Sequence, residues 1–404
     1  MESVRIADIC SQVYSGGTPT STNSSYYDGD IPWLNTNEVN FCNIYKTNRT
    51  ISEEGLKHSA AKFVPVNTII VAMYGVTAGR SAIAKIPLTT NQACCNLVID
   101  SKKANYQYVY YFLKQQAAHL NSLANGGAQQ NLNSLLIKKY SISLPSLKEQ
   151  DKIASILSVY DDLIEKNNRK IAILQEMAEE LYKEWFVRFR FPGYKTARFK
   201  DGIPEGWKYR TFGEIVTCER GISYSSEEID CEDGVNLINL KNINAYGGFR
   251  LDGTKKYNGK YKNNQVVQCG DLVMGVTDMT QDRRTVGAVA LIPPFDNTCV
   301  ISADLIKVVS HIDNIFIYCL CKYGYYSKFF SQFANGSNVL HLKPSSLRNQ
   351  KVLIPTEELI NKFVKIVKPI NDTINNLNRQ NDTLTQQRDL LLPRLMSGKL
   401  EVRA

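Results

Sequence analysis

The chain has no C-x-x-C pair, no G-x-G-x-x-G and no phosphate-binding P-loop, and only four histidines, His58, His119, His311 and His341, far apart in 404 residues. Each absence removes a class. Without clustered His and Cys ligands, a zinc site is not expected. Without a glycine-rich phosphate cradle, nucleotide chemistry has no home. No apolar run approaches the roughly 18 residues that a membrane span needs, so no membrane association is expected. The ten cysteines are scattered, with Cys94 and Cys95 adjacent and Cys319 and Cys321 two apart, and the opening MESVRIADIC has no apolar signal core. Such thiols read as reduced, in a cytoplasm.

Catalytic constellations are missing as well. The run IPPF at 292–295 nearly matches the Asx-Pro-Pro-aromatic loop of amino methyltransferases, but Ile292 stands where that loop needs a polar group to hold the target amine. It therefore reads as a turn at a strand end. Asp161 and Asp162 fall on the polar side of a helical pattern and read as a solvated face. His341 has Lys343 nearby but no Ser or Cys nucleophile. No catalytic residue, no metal and no cofactor of its own are expected. The net charge of +9 is a modest basic excess that suits an anionic partner.

What is present is a repeat. LPSLKEQDKIASIL begins at Leu144, and IPTEELINKFVKIV begins at Ile354, 210 positions later. Ser146-x-x-Glu149 makes a capping box, and Thr356 can cap the second copy, with Glu357 and Glu358 at the favourable end of the helix dipole. Apolar residues then recur at steps of three and four. They are Ile153, Leu157, Tyr160, Ile164, Ile171, Leu174, Ala178, Leu181 and Trp185 in the first copy. In the second, the seam runs through Phe363, Val367, Ile370, Ile374, Leu377, Asn381, Leu384, Arg388, Leu391 and Leu395. This is coiled-coil spacing. It predicts two helices of about 35–40 residues, or roughly 55–60 Å. The first must stop before Pro192; Pro393 should kink or end the second.

In an antiparallel pair, facing positions have a constant sum. Asn167 and Asn381 interrupt the two seams and their numbers add to 548, as do those of Tyr160 and Arg388. An Asn pair in an apolar seam would fix the register, and Arg388 would lie over the Tyr160 ring.

The segments before each helix are rich in Tyr, Asn, Gly and β-branched residues. NTIIVAMYG, NLVID, DLVMGV and AVALIP read as strands, and YVYYFLKQQ and IFIYCLCKY as short helices. The two segments share loose landmarks: Gly75 resembles Gly275, and IPWLN at 31–35 resembles VNLIN at 235–239. Polar, donor-rich loops are candidates for nucleic-acid contact. They carry Tyr74 and Arg80; Gln129, Gln130 and Asn131; Gln281, Arg283 and Arg284; and Asn338, His341 and Lys343.

The combination of LPSLKEQDKIASILSVYDDLIEKNNRKIAILQ, LYKEWFVRFRFPGY, IPEGW and LLLPRLMSGKLEV resembles the DNA-specificity subunit of type I restriction–modification systems. The order of parts matches over essentially the whole chain. The resemblance implies an α+β fold: two mixed α/β target-recognition domains separated by two long antiparallel coiled-coil helices, with a pseudo-twofold internal repeat. The divisions are then 1–143 and 192–353 for the recognition domains, and 144–191 and 354–404 for the helical regions. It further implies a non-catalytic subunit that reads a split site on double-stranded DNA. Two modification subunits would supply S-adenosylmethionine chemistry, and restriction subunits would use ATP and magnesium. One departure stands out: Leu359 and Ile360 replace the Glu149-Gln150 pair of the first copy. Two rival readings are a coiled-coil scaffold that binds only proteins, and the recognition module of a methyltransferase fusion.

Overall fold

A computed structural model describes residues 2–125, 132–229 and 231–400. It separates into two compact units, Met1–Glu165 with Asn381–Ala404, and Lys166–Gln380. Each unit is a β-rich head followed by the first half of its own long helix, to which the second half of the other long helix is added.

In the first head the ten-residue helix α1 is Tyr106–Gln115, and the first long helix, α2, is Leu147–Tyr182. In the second head the ten-residue helix α3 is Asn314–Tyr323, and the second long helix, α4, is Glu357–Met396. The start of α2 is a closed capping box. The Ser146 N–H donates to the Glu149 carboxylate at 2.9 Å, and the Glu149 N–H donates back to the Ser146 hydroxyl at 3.4 Å. At the start of α4 the Thr356 carbonyl accepts from the N–H groups of Leu359 and Ile360, both at 3.1 Å.

The α2 helix does stop before Pro192. It passes into a wider π turn over Lys183–Val187, which puts the neighbours Trp185 and Phe186 both into the core. Pro393 does not end α4, which runs on to Met396. A proline removes one backbone bond. Here the burial of Leu392, Leu395 and Met396 on both sides of it holds the last turns in place.

The two heads are built alike. In the first, a five-stranded sheet has the order Cys10–Ser15, Cys94–Ile99, Ile69–Ala72, Ser81–Ala84, Asn43–Ile44. In the second, Val216–Arg220, Leu305–Ser310, Leu272–Gly275 and Val289–Leu291 take the corresponding places. A four-stranded sheet accompanies each. In the first head Tyr27–Leu34 runs parallel to Leu88–Thr90, and in the second Val235–Ile238 runs parallel to Cys299–Ile301. The chain enters and leaves each head through one antiparallel pair, Glu2–Arg5 with Ser141–Leu144, and Lys208–Thr211 with Lys351–Ile354. The strands expected in NTIIVAMYG, NLVID, DLVMGV and AVALIP, and the helices expected in YVYYFLKQQ and IFIYCLCKY, are all present. IPPF follows directly on the strand Val289–Leu291 but makes no turn: its Ile292 still exchanges backbone bonds with Gly270 and Asp271, both at 2.9 Å.

The pairing of IPWLN with VNLIN holds: each strand runs into a short capped turn. The Asn35 N–H is held by Glu38 at 3.1 Å, and the Asn239 N–H by Asn242 at 2.9 Å. Gly75 and Gly275, however, are not equivalent. By hydrogen bonding the counterpart of Gly275 is Ala72. The Gly79 N–H donates to the Ala72 carbonyl at 2.9 Å, as the Gly287 N–H donates to that of Gly275 at 2.8 Å. Gly79 and Gly287 are the true pair. Both are left-handed, with φ of +82° and +77°, and a Cβ there would meet the carbonyls of Ala117 and Ser327 at 2.8 and 2.7 Å.

Within each unit the helices run antiparallel. In the first, Ile153 and Leu157 of α2 share a core with Leu392 and Leu395 of α4. In the second, Ala178, Tyr182 and Trp185 share one with Leu359, Ile360, Phe363 and Val367. The centre of that core is Phe363, fully buried among Tyr182, Trp185, Phe186 and Phe316 with ring centroids 4.9 to 6.4 Å away. Trp185 and Phe363, whose numbers add to 548, are 5.9 Å apart. The replacement of Glu149-Gln150 is also explained. Gln150 is buried and binds both ways: its amide donates to the Pro145 carbonyl at 2.9 Å, and its oxygen accepts from the Asn105 N–H at 2.9 Å. Leu359 and Ile360 hold the same place in the second unit by apolar burial.

Replacing Phe363 with Ala removes the ring around which four others close. The second unit is expected to lose about 3–5 kcal/mol. Urea unfolding followed by tryptophan fluorescence should register the loss, since Trp185 and Trp207 lie in that core.

Candidate nucleic-acid interface

The second head gathers most of the polar residues expected to touch nucleic acid. Between Val276 and Val286 the chain makes a loop whose base is the pair Thr277–Asp278, hydrogen-bonded to Leu340–His341. Asp278 is its buried pivot. Its carboxylate accepts from the Thr285 N–H at 2.7 Å, the Thr280 N–H at 2.8 Å and the Thr280 hydroxyl at 2.8 Å. Burial pushes the Asp278 carboxyl up, but these donors outweigh it and hold the group below its ordinary value. The Gln281 amide donates to the Ser337 carbonyl at 2.8 Å, so Gln281 sits on the 335–341 hairpin that carries exposed Asn338 and His341. Lys343 is exposed just beyond it.

Arg283 and Arg284 point to another part of the same surface. One Arg283 Nη donates to the Ser331 carbonyl at 2.6 Å, and Arg284 is ion-paired with Asp282. Both line a cleft of about 350 Å³ with Tyr246, Lys322, Tyr325 and Lys328. Those four residues were not legible as site residues. The one local signal was NAYGG, where two glycines follow an aromatic residue.

In the first head the corresponding loop is short. Tyr74 and Val76 are exposed at its tip, and Gly75 is left-handed with open space where a Cβ would be. Arg80 is not at the tip: its Nη1 donates to Asn40 Oδ1 at 2.8 Å, a brace at the loop's base. Gln129, Gln130 and Asn131 lie outside the described residues.

The helix pair departs from expectation at two points. Asp161 is not part of a solvated face; only Asp162 is exposed. The Asp161 carboxylate accepts from the Tyr111 hydroxyl at 2.7 Å and from Arg388 Nη1, with Lys114 Nζ at 4.0 Å. Arg388, in turn, does not lie over the Tyr160 ring. It is buried between Asp161 and Asp389, because two charge-assisted bonds in a low-dielectric layer outweigh one ring contact. Burial pulls the Arg388 guanidinium down, but the two carboxylates more than offset it and the group ends above its ordinary value. Burial and then Asp161 push the Tyr111 hydroxyl far above the ordinary range. Asn167 and Asn381 are each half-buried, and they belong to different units.

Among the described residues no group of His, Cys, Asp and Glu could hold a metal ion, and no helix is long and apolar enough to cross a membrane.

The two heads share one strand order, and each carries a loop between neighbouring strands and leads into a long helix. Residues 1–176 and 204–386 match the family described as type I restriction modification DNA specificity domain, and the chain belongs to that family. It is 29% identical to the type I restriction enzyme MjaIX specificity subunit of Methanocaldococcus jannaschii, over 98% of this chain and 93% of that one. It is 22% identical to the MjaVIII specificity subunit of the same organism, over 100% and 93%. Its fold is similar to the crystal structure of the type I restriction–modification S subunit from M. genitalium, with a TM-score of 0.60 and 19% identity over 98% and 95% of the two chains.

Two outcomes are expected of these sites. Weakening the pair with Asp161→Asn leaves Arg388 only Asp389 as a partner and is expected to destabilise the first unit by about 1–3 kcal/mol, whereas Asp161→Leu combined with Arg388→Met, which leaves the Tyr111 hydroxyl without its acceptor, is expected to cost less than the two single changes added together. Thermal unfolding of the single and double variants checks this. Because the folded-state value of Asp278 is lowered, its contribution is present above the ordinary carboxyl range near pH 4 and is lost as pH falls through the lowered value. Protection of the Thr280 and Thr285 amides, measured as their hydrogen exchange relative to the unstructured rate at each pH, should therefore fall in acid, and in Asp278→Asn should be low and independent of pH across that range.

Proposed function

We propose that this protein is the subunit that gives a type I restriction–modification complex its DNA sequence, reading a bipartite site on double-stranded DNA with one half-site per head. Its helix pair docks two modification subunits, which bring S-adenosylmethionine, and the restriction subunits, which bring ATP and magnesium. The complex works in the cytoplasm. The chain itself serves as a non-catalytic reader. The observation that carries this reading is the likeness of the heads in topology combined with their unlike loops: six residues separate Ala72 from Gly79, and eleven separate Gly275 from Gly287. Two frames that agree in strand order and differ where they meet solvent suit two different half-sites.

The modification subunits see a repeated surface. The helices α2 and α4 share the same seam spacing, which suits two copies of one partner related by a pseudo-twofold. Replacing residues 1–143 with the first head of another member of the family is expected to change one half of the methylated motif and leave the other. Methylation-sensitive sequencing of the host genome reads this directly. A change in both halves would sink the modular reading, and no change would mean that the first head reads nothing.

A further inference from the structure

The cleft beside Arg283 and Arg284 differs from the loops around it. It is lined by four cations, Arg283, Arg284, Lys322 and Lys328, against one carboxylate, Asp282. Two tyrosines complete it, Tyr246 and Tyr325, and both are largely exposed. Tyr246, Arg283 and Tyr325 all have left-handed backbones, with φ of 65°, 54° and 63°. Only eight non-glycine residues among those described do so, and three of them meet here. Strained backbone of this kind persists where the surroundings over-determine it, often at ligand-binding surfaces. Here the Tyr246 N–H is held by the Arg284 carbonyl at 2.7 Å, and Lys322 by the Tyr318 hydroxyl at 3.0 Å. These bonds hold the Tyr246 backbone and the Lys322 ammonium at the cleft.

The first head has no counterpart. Gly79 and Gly287 contact the following helices at residues 210 apart, Ala117 and Ser327. At that offset Tyr325, Lys328 and Gln332 correspond to Gln115, Ala118 and Ser122, which carry neither ring nor charge. Arg283 and Arg284 stand in the part of the loop that the shorter first head lacks.

Building on the reading of the chain as a DNA-specificity subunit, we propose that this cleft seats the phosphodiester backbone of duplex DNA next to the second head's half-site, adding affinity without adding sequence. A base edge needs acceptors and donors in a set pattern, whereas phosphate oxygens only accept. This wall is dominated by donors. The tyrosine hydroxyls can donate to the same phosphates, and their rings can pack on the sugars. The 335–341 hairpin and Gln281, with amide and imidazole groups that both donate and accept, are left to read the bases.

The test is Arg284→Gln with Lys328→Gln in the full chain, both positions being exposed, with Arg284→Lys and Lys328→Arg as the charge-keeping control. DNA binding is titrated between roughly 50 and 200 mM salt. The neutral variant should bind matched and mismatched duplexes more weakly by the same factor. The slope of log affinity against log salt should flatten by about 0.9 for each phosphate that the variant no longer neutralises. The control should keep the slope, and an unchanged unfolding midpoint should show that the fold is intact. A relaxed or altered sequence preference would overturn the proposal in favour of base reading, and an unchanged slope would overturn it outright. If the unaltered chain itself shows no salt-dependent affinity, the DNA reading falls together with the cleft.

Discussion

Two helices of 36 and 40 residues, each with a narrow apolar stripe, cannot bury that stripe alone, and this constraint organises the chain. A stripe at coiled-coil spacing needs a partner along its length. Running antiparallel brings the start of each helix to the end of the other, so each head finds two helix segments beneath it rather than one. Phe363 shows what the arrangement yields: it belongs to one long helix, three of its ring neighbours lie at the end of the other, and Phe316 comes from the head.

The repeat keeps geometry and changes chemistry. Where the first copy joins helix to head through Gln150, the second uses Leu359 and Ile360. Asp161 and Arg388 form a buried ionic layer in the first unit; at an offset of 210 their counterparts are Asn371 and Ala178. Those two residues line a small cavity of about 50 Å³ in the second unit. One copy has filled the layer with a paired charge and the other has left a void edged by amides. A buried pair is a poor source of net stability and a strong source of discrimination, because either charge without its mate is expensive. The helix segments of the two units are therefore not interchangeable in their packing.

Much of this was legible in the residues because helical period and capping are local. Ser146-x-x-Glu149 and the three-four spacing located the long helices, and the β-branched runs located the central strands. What escaped was whatever depended on a neighbour distant in sequence. The polar position of Asp161 suggested solvent until Arg388, 227 residues away, supplied a partner. Pro393 reads as a stop unless Leu392 and Leu395 are known to be buried. The Gly75–Gly275 match followed sequence likeness, whereas the backbone bonds pair Gly79 with Gly287. The cleft residues Tyr246, Tyr325 and Lys328 come from separate segments and form no pattern in the linear chain. Arg80 had the right chemistry and the wrong direction.

The left-handed glycines have a consequence for how such a protein can change. Gly79 and Gly287 pin the far end of the variable loop beneath a helix, and Ala72 and Gly275 pin the near end, so the span is fixed while its contents are free. Lengthening a closed loop adds entropy only logarithmically, about 0.6 kcal/mol for each doubling. Six residues growing to eleven is a little less than one doubling. Against a fold held by cores as large as that around Phe363, such an insertion is nearly free. The frame thus works as an interchangeable mount, on which a new reading surface can be tried without putting the rest of the molecule at risk.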